Sequence, residues 1–362
     1  MVDGIFGTDT CRALADFLQT DRTPDRICVV DRSAWEKLLP YLRGYTTEEG
    51  ENRILFEDPV TSVEVPYTSL LTAAVIDGIL ARYPFLKSGE IGKSVMGKPI
   101  SYLEIGNGEK EVFYNASFHA NESITTPVLL KFAEEYAQAY EKGTALYGVP
   151  AAELFEEYRL FLVPLVNPDG VDLVNGLLTD GGYYRRAQQI ASDYPAIPFP
   201  SGWKANIEGI DLNLQFPAGW ENAKRIKYAQ GYTKPAPRDY VGEAPLTAPE
   251  SEAMYAFTRS HDFRLILAYH TQGEVIYWKY LDYEPARSYE IAQYFGRVSG
   301  YTVEETPTQS GYAGYKDWFI QEYDRPGYTI EAGMGENPLP MSDFAGIYRD
   351  NAGILLGGMT QI

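Results

Sequence analysis

Histidine and cysteine are scarce in this chain of 362 residues, which has only His119, His261 and His270 of the first and Cys11 and Cys28 of the second. Two cysteines cannot build a disulfide framework for a chain this long. No Cys-x-x-Cys or neighbouring histidine marks a metal site around them, so free thiols are expected, with one local bridge open in an oxidising compartment. Positive charge is also short: 31 Lys and Arg stand against 50 Asp and Glu, a formal charge of −19. That balance, with Lys and Arg scattered along the chain, repels phosphate backbones and excludes nucleic acid and anionic membranes as partners. No run approaches the roughly 20 apolar residues needed to cross a bilayer. The opening MVDGIFGTDTCRALADF has no basic start leading into an apolar stretch, which predicts no secretory signal and a cytoplasmic protein; a leader removed beforehand would leave it secreted or wall-associated.

What is present divides into two unequal parts. In residues 1–45, Leu14, Phe17 and Leu18, then Trp35, Leu38, Leu39 and Leu42, recur at helical spacing behind Thr/Asp cap signals, predicting a small helical segment. The words VDGIFGTDT and AWEKLLPYL resemble the second half of the peptidoglycan-binding repeat. Residues 46–65 are polar and aperiodic, as expected of a linker. From 66 to 362 apolar strands alternate with amphipathic helices: helices over 68–84, 125–143, 248–261, 285–300 and 313–323, and strands over 101–106, 111–118, 159–167, 264–270 and 326–333. Such alternation predicts an α/β sandwich with a mostly parallel or mixed sheet covered on both faces.

In sheets of this kind ligands gather at the carboxyl ends of strands. His119 and Glu122 follow one strand, Asn167-Pro168-Asp169-Gly170 a second, His270 ends a third and Glu331 a fourth. A hydrolytic zinc site takes three protein ligands from imidazole nitrogen and carboxylate oxygen, and His119, Glu122 and His270 supply that set. The spacing of three puts His119 and Glu122 on one side of a turn, although an isolated His-x-x-Glu occurs often by chance. His261 ends an amphipathic helix and is expected to meet its C-terminal dipole.

Five words, FHANE, LVNPDG, GIDLN, AYHTQG and YTIEAG, occur in the order and approximate spacing of the zinc carboxypeptidase family, which this chain resembles from about residue 66 to 362. The resemblance implies an α/β fold with a mixed eight-stranded sheet, one zinc ion on His119, Glu122 and His270, and Glu331 as general base. The family carries an arginine for the reaction's oxyanion in a Trp-Arg-Lys stretch; Tyr184-Arg185-Arg186 is the matching segment, with Arg185 assigned that role and Arg186 as its alternative and a substrate contact. Where the family holds a substrate carboxylate with an Asn-Arg pair, this chain has Asn213-Leu214. Losing the two-pronged donor argues against ordinary carboxypeptidase action.

The block Gln215 with FPAGW, together with HTQGEVIYW and GYAGYKDWF, resembles the branch that cuts bacterial cell-wall stem peptides between γ-D-glutamate and meso-diaminopimelate. Lys316 then stands where the family's specificity residue does and suits an acidic group, while Tyr312 and Tyr315 are alternatives for a tyrosine that closes over substrate. A peptidoglycan-derived peptide is the partner this implies. The alternatives are a carboxypeptidase or amide hydrolase of the same fold with another substrate, and a non-catalytic wall-binding protein.

Overall fold

The computed structural model describes residues 59–307 and 309–362. The helical segment expected over 1–45, both cysteines and the first part of the expected linker lie outside them. The end of that linker differs from expectation. The Val60 and Thr61 amides donate to the two carboxylate oxygens of Glu134 at 2.6 and 2.8 Å, and the Tyr67 hydroxyl donates to the Ser62 carbonyl at 2.8 Å. These backbone groups dock on the domain instead of running free, because a buried carboxylate offers them better partners than water does.

The strands are β1 (Lys87–Lys93), β2 (Pro99–Ile105), β3 (Lys110–Ala116), a short hairpin of β4 (Ala145–Leu146) and β5 (Val149–Pro150), β6 (Tyr158–Val163), β7 (Leu265–His270), β8 (Val275–Tyr277), β9 (Thr302–Glu304) and β10 (Gly327–Glu331). Among the described residues the helices are α1 (Ser69–Arg82), α2 (Thr125–Glu141), α3 (Ala151–Glu157), α4 (Pro168–Val174), α5 (Gly181–Ser192), α6 (Trp220–Ala229), α7 (Pro249–Arg259), α8 (Ser288–Ser299), α9 (Tyr315–Tyr323) and α10 (Phe344–Thr360). Eight strands form one mixed sheet in the order β1-β2-β6-β3-β7-β10-β8-β9. β6, β3, β7 and β10 are mutually parallel, and antiparallel pairs flank them on both sides.

The central strands read as apolar runs because both faces are covered. Val112, Tyr114, Ala116, Leu265, Leu267, Tyr269, Tyr328 and Ile330 pack into a core with α1, α2, α8 and α10, while the alternate residues Phe113, Phe161, Ile266 and Ala268 pack against Met254 of α7 and Trp318, Phe319 and Ile320 of α9. Each of the larger aliphatic and aromatic side chains withdrawn from water contributes roughly 1.5–3 kcal/mol. One register step would exchange the two sets, so the pairing is strongly specified. That register sets Tyr269 beside Ala116 and His270 beside Glu331, bringing the ends of β3, β7 and β10 to one edge. No helix among the described residues is long and apolar enough to cross a membrane.

Candidate metal centre

Beyond the end of β3 the chain turns sharply. Ser117 takes a positive φ of 54°, an uncommon conformation for a residue with a Cβ. It is held by its amide donating to Thr125 Oγ1 at 3.1 Å and by its hydroxyl sharing hydrogen bonds with Thr125 and Thr126 at 3.0 and 2.8 Å. A 3₁₀ turn over Ala120–Glu122 follows and returns Glu122 toward the end of β7. His119 Nδ1 then lies 3.0 Å from Glu122 Oε1, His270 Nδ1 lies 3.0 Å from Glu122 Oε2, and the two Nδ1 atoms are 3.1 Å apart. All three residues are buried, and one donor atom from each lies within 4.8 Å of the others. Tetrahedral nitrogen and oxygen ligands at about 2.0–2.1 Å from zinc stand about 3.3 Å apart. The donor set and its spacing fit that ion with a slight opening.

Two further groups grip this cluster. His119 Nε2 is 3.1 Å from Asp211 Oδ1, and Asp211 Oδ2 accepts the Asp239 amide at 3.1 Å. A carboxylate on the far nitrogen fixes the imidazole's orientation and tautomer so that Nδ1 faces Glu122 and His270 and would be free to ligate an ion held there. Lys204 Nζ lies 2.9 Å from Glu122 Oε1. Its position follows from the backbone: the Lys204 and Ala205 amides both donate to the Pro237 carbonyl, at 2.7 and 2.9 Å, and the Ala120 amide donates to the Lys204 carbonyl at 3.0 Å. The segment carrying Lys204 is thereby tied to the turn carrying Glu122.

The charges act on one another. Burial disfavours the His119 imidazolium, but the Glu122 and Asp211 carboxylates outweigh it and push His119 up to about 9. Burial likewise opposes ionisation of Glu122, yet His119 and Lys204 hold its carboxyl well below the usual range. Glu331 moves the other way: burial and the Glu122 charge push its carboxyl up, against His270 and Lys204. That direction suits a general base.

Glu331, His119, His270, Asp211 and Asn213 line one cavity of ≈ 140 Å³, together with Lys316 and Asp317. A larger cavity of ≈ 460 Å³ between α1, α4 and β2 contains none of the ligands or Glu331 and plays no part in this chemistry. Asn213 has its Nδ2 3.4 Å from His270 Nε2 and its Oδ1 accepting the Tyr315 amide at 2.9 Å. Tyr312 lies on the turn between the cavity-lining Ser310 and Gly314, its ring packed edge-on to Tyr280. Tyr315 is fully buried, its hydroxyl 2.8 Å from Thr258 Oγ1, and cannot swing over a substrate. His261 Nδ1 donates to the Phe257 carbonyl at 2.8 Å at the end of α7, as its position predicts.

Arg185 and Arg186 require correction. α5 buries Ala187, Ile190 and Ala191, so both arginines fall on its exposed side, where Arg186 meets Gln189 at 3.4 Å. Neither lines the cavity; the cation at the ligands is Lys204. The available signal was Trp203-Lys204, which keeps the Trp-basic order in a segment that leads directly into GIDLN. Asp211 lay inside that same word, but its contact with His119 joins residues 92 apart and only the fold reveals it.

A family profile for zinc carboxypeptidases matches residues 72–352. The chain is 49% identical over 278 residues to gamma-D-glutamyl-L-diamino acid endopeptidase 1 of Lysinibacillus sphaericus, covering 76% of this chain and 68% of the relative. It is 44% identical over 344 residues to the uncharacterised protein YqgT of Bacillus subtilis (strain 168), covering 90% and 89% of the two chains. In fold it is similar to crystallised thrombin activatable fibrinolysis inhibitor (TM-score 0.65, 16% identity, 90% of this chain and 80% of the other) and to carboxypeptidase A of Helicoverpa armigera (TM-score 0.62, 19% identity, 92% and 81%). A profile match of that extent, on a fold that gathers the matched motifs around one set of metal-binding atoms, makes the chain a member of the zinc carboxypeptidase family.

Proposed function

We propose that the chain is a zinc-dependent peptidase that hydrolyses cell-wall stem peptides at the γ-D-glutamyl–meso-diaminopimelate bond. The observation that carries the hydrolytic reading is the convergence of His119, Glu122 and His270 on one point, with both histidines lining the cavity that Glu331 also lines. The name of the Lysinibacillus relative supports the substrate class.

When bound, zinc supplies Lewis acidity toward a carbonyl and toward water. The protein's own groups do the rest. Glu331, its carboxyl pushed up by burial, accepts a proton from the attacking water and delivers it to the departing amine. Lys204 places a positive charge against the ligand cluster, where negative charge develops on the carbonyl oxygen, in the role expected of Arg185. Asp211 holds His119 in orientation, and Tyr312 is assigned the role of the tyrosine that closes over the substrate.

Ordinary carboxypeptidase action is less well supported. It needs a cation for the substrate's terminal carboxylate, and Leu214 occupies the family's arginine position. Each lysine that lines the cavity is already balanced by one carboxylate, Lys227 Nζ 2.5 Å from Asp239 Oδ1 and Lys316 Nζ 2.7 Å from Asp317 Oδ1, so a lone substrate carboxylate finds no uncompensated cation there. Residues 1–45 are proposed as a wall-tethering segment that raises local substrate concentration; unchanged binding to purified sacculi after their removal would refute that role. For the activity, the zinc-loaded protein is incubated with L-Ala-γ-D-Glu-meso-diaminopimelate and with an α-linked tripeptide, and products are weighed by mass spectrometry. Cleavage of the first is expected, and cleavage of the α-linked peptide alone would overturn the assignment.

A further inference from the structure

Lys316 and Asp317 are adjacent in the first turn of α9, each 3% exposed, and both line the cavity. Lys316 is not a free cation awaiting an anion. An ammonium has three protons, and here its neighbours are the Lys279 carbonyl at 2.7 Å, Thr306 Oγ1 at 2.9 Å and Asp317 Oδ1 at 2.7 Å. Asp317 is less well served. Its Oδ1 has the ion pair but no hydrogen bond, and its Oδ2 lies over Gly314, where an added Cβ would come within 2.8 Å of it. A buried carboxylate with unused acceptor capacity costs stability unless a donor arrives. The glycine keeps the space around it open.

The charge balance narrows what that donor is. The pair is neutral, so a lone ammonium or a lone carboxylate entering beside it would leave one net charge buried, which is costly. A group carrying one of each sign adds no net charge and completes an alternating quartet. Its ammonium supplies the donors that Asp317 lacks, and its carboxylate takes the Lys316 proton now held by the Thr306 hydroxyl, a neutral acceptor that an ionised one outcompetes.

We propose that Lys316 and Asp317 form the receptor for the free α-amino-acid end of a diaminopimelate-type residue, its ammonium on Asp317 and its carboxylate on Lys316. This rests on the γ-D-glutamyl peptidase reading above and assigns the specificity to the pair, where the sequence had pointed to the lysine alone.

The test uses three peptides, L-Ala-γ-D-Glu-X, with X as meso-diaminopimelate (both charges at the far end), L-lysine (ammonium only) and L-2-aminopimelate (carboxylate only). The zinc-loaded enzyme is expected to favour the first over each of the others on the order of tenfold or more in kcat/KM, carried by KM. D317N should erase the advantage over aminopimelate, and K316M the advantage over lysine. Removing one member of a buried pair can unfold a protein, so the double variant K316M/D317L, which leaves no charge behind, is measured alongside. With native circular dichroism and zinc content, it should cleave all three peptides at similar rates. The proposal is overturned if wild type cleaves the three alike, or if every variant lowers all three by one common factor. Calorimetry with free meso-diaminopimelate separates the two levels of inference. Binding that D317N weakens, without γ-D-glutamyl hydrolysis, would reject the peptidase reading and keep the receptor. Hydrolysis without discrimination would reject the receptor and keep the peptidase.

Discussion

The ligand end of the cavity and its α9 wall are both buried and both charged, yet they are built on opposite plans. At the ligand end His119, Glu122, Asp211, Lys204 and Glu331 crowd around His270 with shifted protonation of their own, and charges there oppose as well as balance one another. On the α9 wall Lys316 is matched to Asp317 one for one. Unbalanced, closely coupled groups are what proton transfer and metal binding need. Balanced pairs hold a shape and a pattern of sign against which a substrate is compared. Chemistry and selectivity should therefore be separable by mutation.

The largest effect is expected where the ion is held. Wild type should bind about one zinc per chain, and Glu122→Gln or His270→Ala should lose both the zinc, read by atomic emission, and essentially all turnover. Next comes Glu331→Gln, which should keep its zinc while kcat falls by about 10²–10⁴; normal turnover would remove Glu331 as base. Lys204→Met should lower kcat on the order of 10²–10³, whereas Arg185→Ala and Arg186→Ala leave it near wild type. If instead Lys204→Met mainly altered the preference among peptides, the division between the two parts of the cavity would fail.

Asp211→Ala should weaken zinc affinity by about 10–100-fold, measured by competition with a chelator, while leaving peptide preference intact. The smallest effect is in pH. His119 in the metal-free protein holds its proton up to about 9, and the ion binds only the neutral ring, so proton and zinc compete. Affinity should rise by at most about tenfold per pH unit as pH climbs toward 9 and level off above it, with a proton released to the buffer on binding. A pH-independent affinity over that range would show that His119 is not charged in the free site.

How much of this could be read from the chain depended on the surroundings of each segment. β3, β6, β7 and β10 announce themselves because strands buried on both faces must be apolar throughout. β1, KSGEIGK, sits at a sheet edge with half its residues exposed and so carries no apolar alternation; β8 and β9 are three residues each, too short to show a period. The metal ligands were visible because strand ends are few and histidines fewer. Arg185 was misplaced because an aromatic-basic word says nothing about which side of a helix it occupies. Lys204 is fixed instead by two amides on the Pro237 carbonyl, a tie between distant segments that local pattern does not encode.

The side-by-side placement of His270 and Glu331 in the β7–β10 ladder gives the enzyme a built-in ruler. Neighbouring strands lie about 4.8 Å apart whatever their connections do, so the span from metal ligand to proton acceptor is set by the sheet's own lattice. The loops that shape the mouth of the cavity can lengthen, shorten or be exchanged without disturbing it. Retargeting such an enzyme to another peptide is then a matter of rewriting α9 and its flanking turns, while the distance over which the proton travels is inherited unchanged.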